Sequence, residues 1–211
     1  MTESGRENPL FAAIYDPAVA IAERTFLPKH REWLLRGLDD GDQVLDVGAG
    51  TGAMFPYFAD VPGPTYHAIE PDRAMWRRAA DRADREGLDV EIEIAEAGEM
   101  PYEDGAFDRV VAALVFCTIP DVDAALDEIH RVLGPEGELR FLEHVHADGW
   151  RAGLQDAVNP VWRRLAAGCN LNRDTVAAFE RRDDYELVAV ERFDEGVTPV
   201  RPLVRGVMRP L

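Results

Sequence analysis

Three glycines within five residues, Gly48, Gly50 and Gly52, follow directly on the apolar run Val44-Leu45-Asp46-Val47 and constrain this chain more than any other feature. Positions without a Cβ let the backbone turn sharply from a buried strand into a helix, and let a ligand come close to the main chain. Glu70 stands 18 residues beyond Gly52, at the end of the next apolar run, Tyr66 to Ile69. A carboxylate there can accept both hydroxyls of a ribose. The pairing implies an adenosine-containing cofactor rather than a turn that only packs a helix on a sheet.

Charge and spacing narrow the choice of cofactor. A phosphate-cradling loop of the Walker type needs a lysine after its last glycine, and the only lysine, Lys29, lies far upstream. Gly48, Gly50 and Ala53 do fit G-x-G-x-x-G/A, so a nicotinamide dinucleotide stays open as an alternative. Against it, about 40 residues precede the first strand, where a dinucleotide fold commonly opens with that strand. Asp46, at the strand end, would also oppose a pyrophosphate but suit a sulfonium or an ammonium. S-adenosylmethionine carries both cations and no phosphate.

Short apolar strands alternate with helices along the rest of the chain. Strand patterns fall at Gln43 to Val47, Tyr66 to Ile69, Val90 to Ile94, Phe107 to Val115 and Glu138 to Glu143. Helical patterns occupy Pro17 to Leu38, about Met54 to Ala59, Asp72 to Glu86 with a stop at Gly87, Asp121 to Leu133, a stretch through Trp162, and Asp174 to Arg181. Glu186 to Phe193 and about Leu203 to Met208 read as a terminal β-hairpin. This alternation predicts an α/β fold on a parallel sheet, with ligands outside the carboxyl ends of the strands.

Length and composition exclude several classes. At 211 residues, 46% of them hydrophobic, the chain suits one globular domain. Its longest apolar runs, such as Val110 to Cys117, are too short to span a bilayer. The first ten residues lack the basic-then-apolar pattern of a signal peptide, and two cysteines make no disulfide framework. A cytoplasmic protein with no membrane anchor evident is expected. Forty acidic residues against 23 basic ones give a net charge of −17, which argues against nucleic acid or an anionic membrane as partner. Acids scattered along a chain with one lysine resemble the halophilic proteins of salt-loving microbes, whose self-repulsion salt screens. Nothing in the sequence reports on oligomeric state.

The D-x-G-x-G-x-G stretch resembles motif I of the class I S-adenosylmethionine-dependent methyltransferases, and Ile69-Glu70-Pro71-Asp72 their next, acidic motif. Residues Ala95 to Tyr102 and Asp104 to Asp108 resemble the segment that cups adenine in that family, and Gly134 to Leu139 the turn into its fifth strand. Narrower likenesses, Leu114 to Cys117, Phe141 to Val145, Asn159 to Trp162 and Gly168 to Thr175, point to the methyltransferase-like group that includes the animal thiol S-methyltransferases. The animal enzymes carry a hydrophobic N-terminal anchor that is not evident here.

The resemblance implies a three-layer Rossmann-like fold with a mostly parallel seven-stranded sheet and a C-terminal antiparallel strand. Within a single domain over 1–211 it implies a helical lid over 1–40, a cofactor-binding core over 41–146, and substrate-side helices with the hairpin over 147–211. It implies methyl transfer from S-adenosylmethionine to a small-molecule acceptor, with a thiol as the narrower reading and a non-catalytic cofactor-binding module as a further alternative. Cofactor contacts would come from Asp46, Gly48, Ala49, Gly50, Gly52, Glu70, Pro71, Glu96, Ala97, Ala113 and Leu114. Tyr15, Cys117, Trp162, Asn170 and Arg173 would lie on the substrate side, with Phe11, Tyr15 and Asp16 in the lid. His144 is the candidate general base or thiolate-orienting donor, with a structural histidine as the alternative. Glu143, His144 and His146 show no further ligand, so no metal is expected, and Cys169 reads as a packing residue.

Overall fold

Period-two alternation along the strands decides the architecture. Helix α1 (Pro9–Val19) is followed by α2 (Ala22–Thr25) and α3 (Leu27–Leu34). Then come β1 (Gln43–Val47), α4 (Phe55–Ala59), β2 (Thr65–Ile69), α5 (Arg73–Glu86), β3 (Val90–Glu93), β4 (Phe107–Ala113) and α6 (Val122–Val132). The chain ends with β5 (Leu133–His144), α7 (Trp150–Leu165), α8 (Thr175–Glu180), β6 (Tyr185–Phe193) and β7 (Leu203–Pro210). This computed structural model describes residues 7–211; the first six residues of the expected lid, and the side chain of Ala18, lie outside the described residues.

The seven strands form one sheet in the order β3-β2-β1-β4-β5-β7-β6. Strands β1 to β5 pair in parallel, and β7 runs antiparallel to both β5 and β6. Alternate residues feed two cores. Leu45, Val47, Val110, Ala112, Leu139 and Phe141 meet α6 and Phe179 of α8 on one face. Val44, Ala68, Val111 and Leu142 meet Leu34 of α3, Phe55 and Phe58 of α4, and Ala79 and Ala83 of α5 on the other. With both faces covered, the parallel strands can be apolar throughout. This is the three-layer α/β fold expected.

Several boundaries follow from named residues. Asp72, Asp121 and Asp174 each accept backbone N–H bonds at a helix start, and Gly87 closes α5 in the left-handed region at φ 65°. The single helix expected over 17–38 is instead three pieces. Asn8 caps α1 well upstream, and Pro28, which has no N–H to donate, sits in the first turn of a new helix. Strand β4 stops at Ala113 rather than Val115 because Leu114 takes φ 62° and the next two amides turn away from the ladder. Strand β5 begins earlier than expected, at Leu133, because Phe107 pairs with Leu133 and Arg109 with Glu138, leaving 134–137 as an excursion within the strand.

At the end of the sheet away from the glycine turn, Glu138 binds Arg109 at 3.1 Å, Arg140 at 2.8 Å and Arg209 at 3.1 Å. Arg109 and Arg140 also donate to the carbonyls of Leu34 and Trp33, capping α3. Polar anchors likewise seat α7. Gln155 accepts from Ala147 N at 2.7 Å and donates to Pro199 O at 2.9 Å, and Asn159 accepts from Leu171 N at 2.9 Å.

Two glycines make opposite predictions. A Cβ at Gly206, on β7, would run into the Ala189 carbonyl and the Phe141 ring, so Gly206→Ala should cost about 1–3 kcal/mol. Gly153, inside α7, has open space around its Cβ position and no positive φ, so Gly153→Ala should stabilise by about 0.5–1 kcal/mol. Urea midpoints of the two variants check both signs.

Candidate active site

The parallel strands end in register, and their carboxyl ends carry the glycine turn, Glu70 and the segment after β4. In the turn, Gly48 and Ala49 both donate to Ile69 O, at 2.9 and 3.0 Å, Gly52 donates to Ala49 O at 2.9 Å, and Gly50 donates to Glu70 Oε2 at 2.8 Å. The three glycines hold φ of 71°, 59° and 76°, which L side chains rarely adopt. A Cβ at Gly48 would strike Val115 and one at Gly52 the Phe55 ring, whereas Gly50 faces open space. Two of the glycines therefore serve packing and the middle one leaves room for a ligand. With these four amides committed to protein acceptors, they do not form the free N–H cradle a pyrophosphate requires.

Asp46 and Glu70 give this end of the sheet its electrostatics. Asp46 is buried and its Oδ2 has no partner. Burial pushes its carboxyl up to about 7, against the pull of Arg31 and with a further push from Glu70. Glu70 is also lifted to about 7 by burial, although it accepts from Asp72 N at 2.9 Å as well as from Gly50 N. Two under-compensated carboxylates beside open space over a glycine turn suit a ligand that brings positive charge and hydroxyl groups. S-adenosylmethionine has both, and these residues fit it.

Above the turn lies α1. Asp16 accepts from Thr51 Oγ1 at 2.5 Å and pairs with Arg82 at 3.2 Å, and Asn8 N donates to Asp72. Phe11 and Tyr15, expected just ahead of a helix, sit within α1 with ring centroids 5.6 Å apart. Burial lifts the Tyr15 phenol to about 12. Arg31, which no motif singled out, is buried with its guanidinium on Glu23 at 2.6 and 3.1 Å. Its signal in the sequence is only an arginine within an otherwise ordinary helix.

The second half of the site is built around Glu143, fully buried at the end of β5. Its Oε1 accepts from Val115 N at 2.7 Å and Phe116 N at 2.8 Å, winding the segment after β4 into a tight turn. That turn presents Cys117. Arg173 donates to Phe116 O and, at 2.6 Å, to Ile119 O, and Asn170 donates to Cys117 O through its backbone at 2.9 Å and its side chain at 3.0 Å. Arg173 and Asn170, expected on the substrate side, thus clamp the 168–175 segment onto this turn.

The clamp brings Cys169 to His144 Nε2 at 3.2 Å, with Cys117 alongside. The neighbouring Cys117 thiol and His144 together hold the Cys169 thiol well below its ordinary range. Cys117, buried beside Cys169, is pushed up. Burial opposes charge on His144, but its bond to Cys169 outweighs that and raises it. His144 Nδ1 is buried without a partner. Cys169, read from the sequence as packing, is therefore in contact with the candidate catalytic residue. Glu143 and His146 do not join His144: the first holds the β4 turn and the second lies 3.3 Å from Asp156. Among the other expected contacts Ala97 is buried, Pro71 half-buried and Glu96 exposed.

Comparison with known proteins agrees with this geometry. A family model described as a methyltransferase domain matches residues 45–141. Human thiol S-methyltransferase TMT1A is 33% identical over 176 residues, covering 81% of this chain and 70% of its own length. The malonyl-[acyl-carrier protein] O-methyltransferase of Geobacter sulfurreducens is 29% identical over 94% of this chain and 74% of its own. A crystal structure titled as a SAM dependent methyltransferase from Aquifex aeolicus superposes with a TM-score of 0.64 at 18% identity, over 96% of this chain and 98% of that one. Among the described residues no helix is long and apolar enough to cross a membrane.

The raised carboxyls predict an unusual pH profile for the ligand-free protein. Asp46, Glu70 and Glu143, each lifted by burial to about 7, bind protons more tightly folded than unfolded. Stability should therefore fall as pH rises from about 4 to about 7 and level off above. Urea titrations across that range check the sign, and a rise in stability over the same window would contradict it.

Proposed function

Because the chain belongs to the class I S-adenosylmethionine-dependent methyltransferases, we propose that it methylates a small-molecule thiol. The observation that carries this reading is the cluster of two cysteines and a histidine at the end of β5. There His144, buried with a free Nδ1, stands against Cys169 and beside Cys117. The resemblance to a relative named as a thiol S-methyltransferase supports it.

We assign the cofactor to the Asp46–Glu70 side. Glu70 takes the ribose hydroxyls, Asp46 supplies negative charge to the cationic end, and the open space over Gly50 admits the main body of the ligand. Glu96 and Ala97 take the adenine edge, and Ala113 and Leu114, at the end of β4, the amino-acid end. The lid is 7–40, latched through Asp16; the core is 41–146, and 147–211 forms the acceptor side. When bound, S-adenosylmethionine supplies an electrophilic methyl on a cationic sulfur, which an acceptor sulfur takes by in-line displacement while its own proton leaves to solvent. Alignment and exclusion of water are what the chain itself contributes. Helix α1 covers the turn, and Tyr15 lies near enough to Cys117 for the two to interact electrostatically. His144 favours the acceptor as its thiolate, which needs only modest help because an ordinary thiol is already a few per cent ionised near neutral pH.

Two measurements test these assignments. Glu70→Ala should weaken S-adenosylmethionine binding by about 1.5–3 kcal/mol. In the wild type, affinity should drop as pH falls below 7, roughly tenfold at pH 6 for each carboxylate that must be ionised. Calorimetry showing an unchanged constant in the variant would remove the ribose assignment. For the acceptor, a panel of thiols, amines, phenols and quinols with labelled methyl donor should give turnover on thiols first. His144→Ala should then lose about 10²-fold in rate on weakly acidic thiols and less on acidic ones, with cofactor affinity intact. Turnover confined to phenols or amines would overturn the thiol reading.

A further inference from the structure

Cys117, His144 and Cys169 come from three separate segments: the turn after β4, the end of β5, and the loop after α7. Their Sγ, Nε2 and Sγ atoms all lie within 4.8 Å of one another. No disulfide joins the cysteines, and His144 Nε2 stands 3.2 Å from Cys169 Sγ. In a tetrahedral zinc site with Zn–S about 2.3 Å and Zn–N about 2.0 Å, neighbouring donors sit about 3.5–3.8 Å apart. With one pair at 3.2 Å and all three within 4.8 Å, shifts of at most about an ångström would let the trio share one ion.

The segments that carry the donors are held by bonds that do not involve the donor atoms. Glu143 fixes the Cys117 turn through Val115 N and Phe116 N, at 2.7 and 2.8 Å. Asn170 and Arg173 tie the Cys169 loop to that same turn. His144 lies in the β5–β7 ladder opposite Leu203. Such outer support is what a metal site requires of its surroundings. Cys117 and His144 are buried, while Cys169 is partly exposed, so the group meets solvent through Cys169.

We propose that Cys117, His144 and Cys169 form a zinc site with one coordination position open to an acceptor. Two sulfurs and an imidazole are a soft donor set that selects zinc over magnesium or calcium. Three protein ligands and a free fourth position are the pattern of reactive rather than structural zinc. The fourth position takes the sulfur of an acceptor thiol: the S–H bond breaks, a sulfur–zinc bond forms, and the proton goes to water. This role rests on the thiol reading above; occupancy of the site by zinc does not.

Cobalt(II) serves as the probe, because thiolate–cobalt charge transfer reports the donors without any turnover. The 211-residue chain, kept reduced with a phosphine and freed of metal, is titrated with cobalt(II) and then zinc(II). The expected result is one equivalent of cobalt with an intense near-ultraviolet thiolate band, displaced by zinc. Cys117→Ser and Cys169→Ser should each weaken zinc binding by more than the roughly 10–100-fold that loss of an outer-shell partner costs. His146→Asn should leave the band unchanged. Addition of a small thiol should shift the band, showing the open position. Absence of the thiolate band in the wild type, which needs no variant to fold, overturns the proposal. So does equal zinc affinity in wild type and Cys169→Ser, or loss of the band in His146→Asn. A thiol that leaves the cobalt spectrum unmoved overturns the open position, whether or not thiols are substrates.

Discussion

The carboxyl edge of this sheet depends on acids buried without a matching cation. Asp46 ends β1, Glu70 follows β2 and Glu143 closes β5, and burial lifts all three to about 7. Each rise from the ordinary carboxylate range is equivalent to roughly 3–4 kcal/mol of lost preference for the ionised form. The fold tolerates this because each acid organises backbone. Glu70 holds the glycine turn and the start of α5, and Glu143 holds the turn after β4. Asp46, the least satisfied, is the one whose charge a cationic ligand would answer. The same residues thus hold the backbone together and leave unanswered charge at the strand ends, at the cost of stability in the ligand-free protein.

The glycine turn and the acid after β2 were legible because their signals are local. A strand, a glycine turn and an acid at the next strand end lie within thirty residues, and each glycine meets a steric demand the fold bears out at Gly48 and Gly52. The caps Asp72, Asp121 and Asp174 are readable for the same reason, since the aspartate and the amides it satisfies are two or three residues apart. Strand order was legible only as far as alternation of elements carries it.

Misread segments are those whose partners are distant in sequence. A continuous apolar run predicts that β4 should reach Val115; it stops two residues short because Glu143, 28 residues on, captures the amides. Pro28 breaks the N-terminal helix where apolar spacing alone suggested continuity. Cys169 was read as packing because nothing near it in sequence shows that Asn170 and Arg173 fasten its loop beside His144. Arg31 escaped notice because its importance lies in a charge felt by Asp46 across the space between α3 and β1.

Polar anchoring, rather than an apolar core, seats the segment that follows β5. The 147–175 segment has few apolar residues turned inward, and Gln155, Asn159, Asn170 and Arg173 seat it instead, through hydrogen bonds to backbone groups. Such bonds set position without requiring a fixed side-chain volume nearby, so residues between the anchors can change without loosening the segment. The exposed side chains Val161 and Leu165 of α7, and Leu10 and Ile14 of α1, are free in this sense. Cys169 is not, because it lies between anchors and against His144. The few side chains that the anchors hold at the carboxyl ends of the strands are thus the ones whose positions the fold fixes.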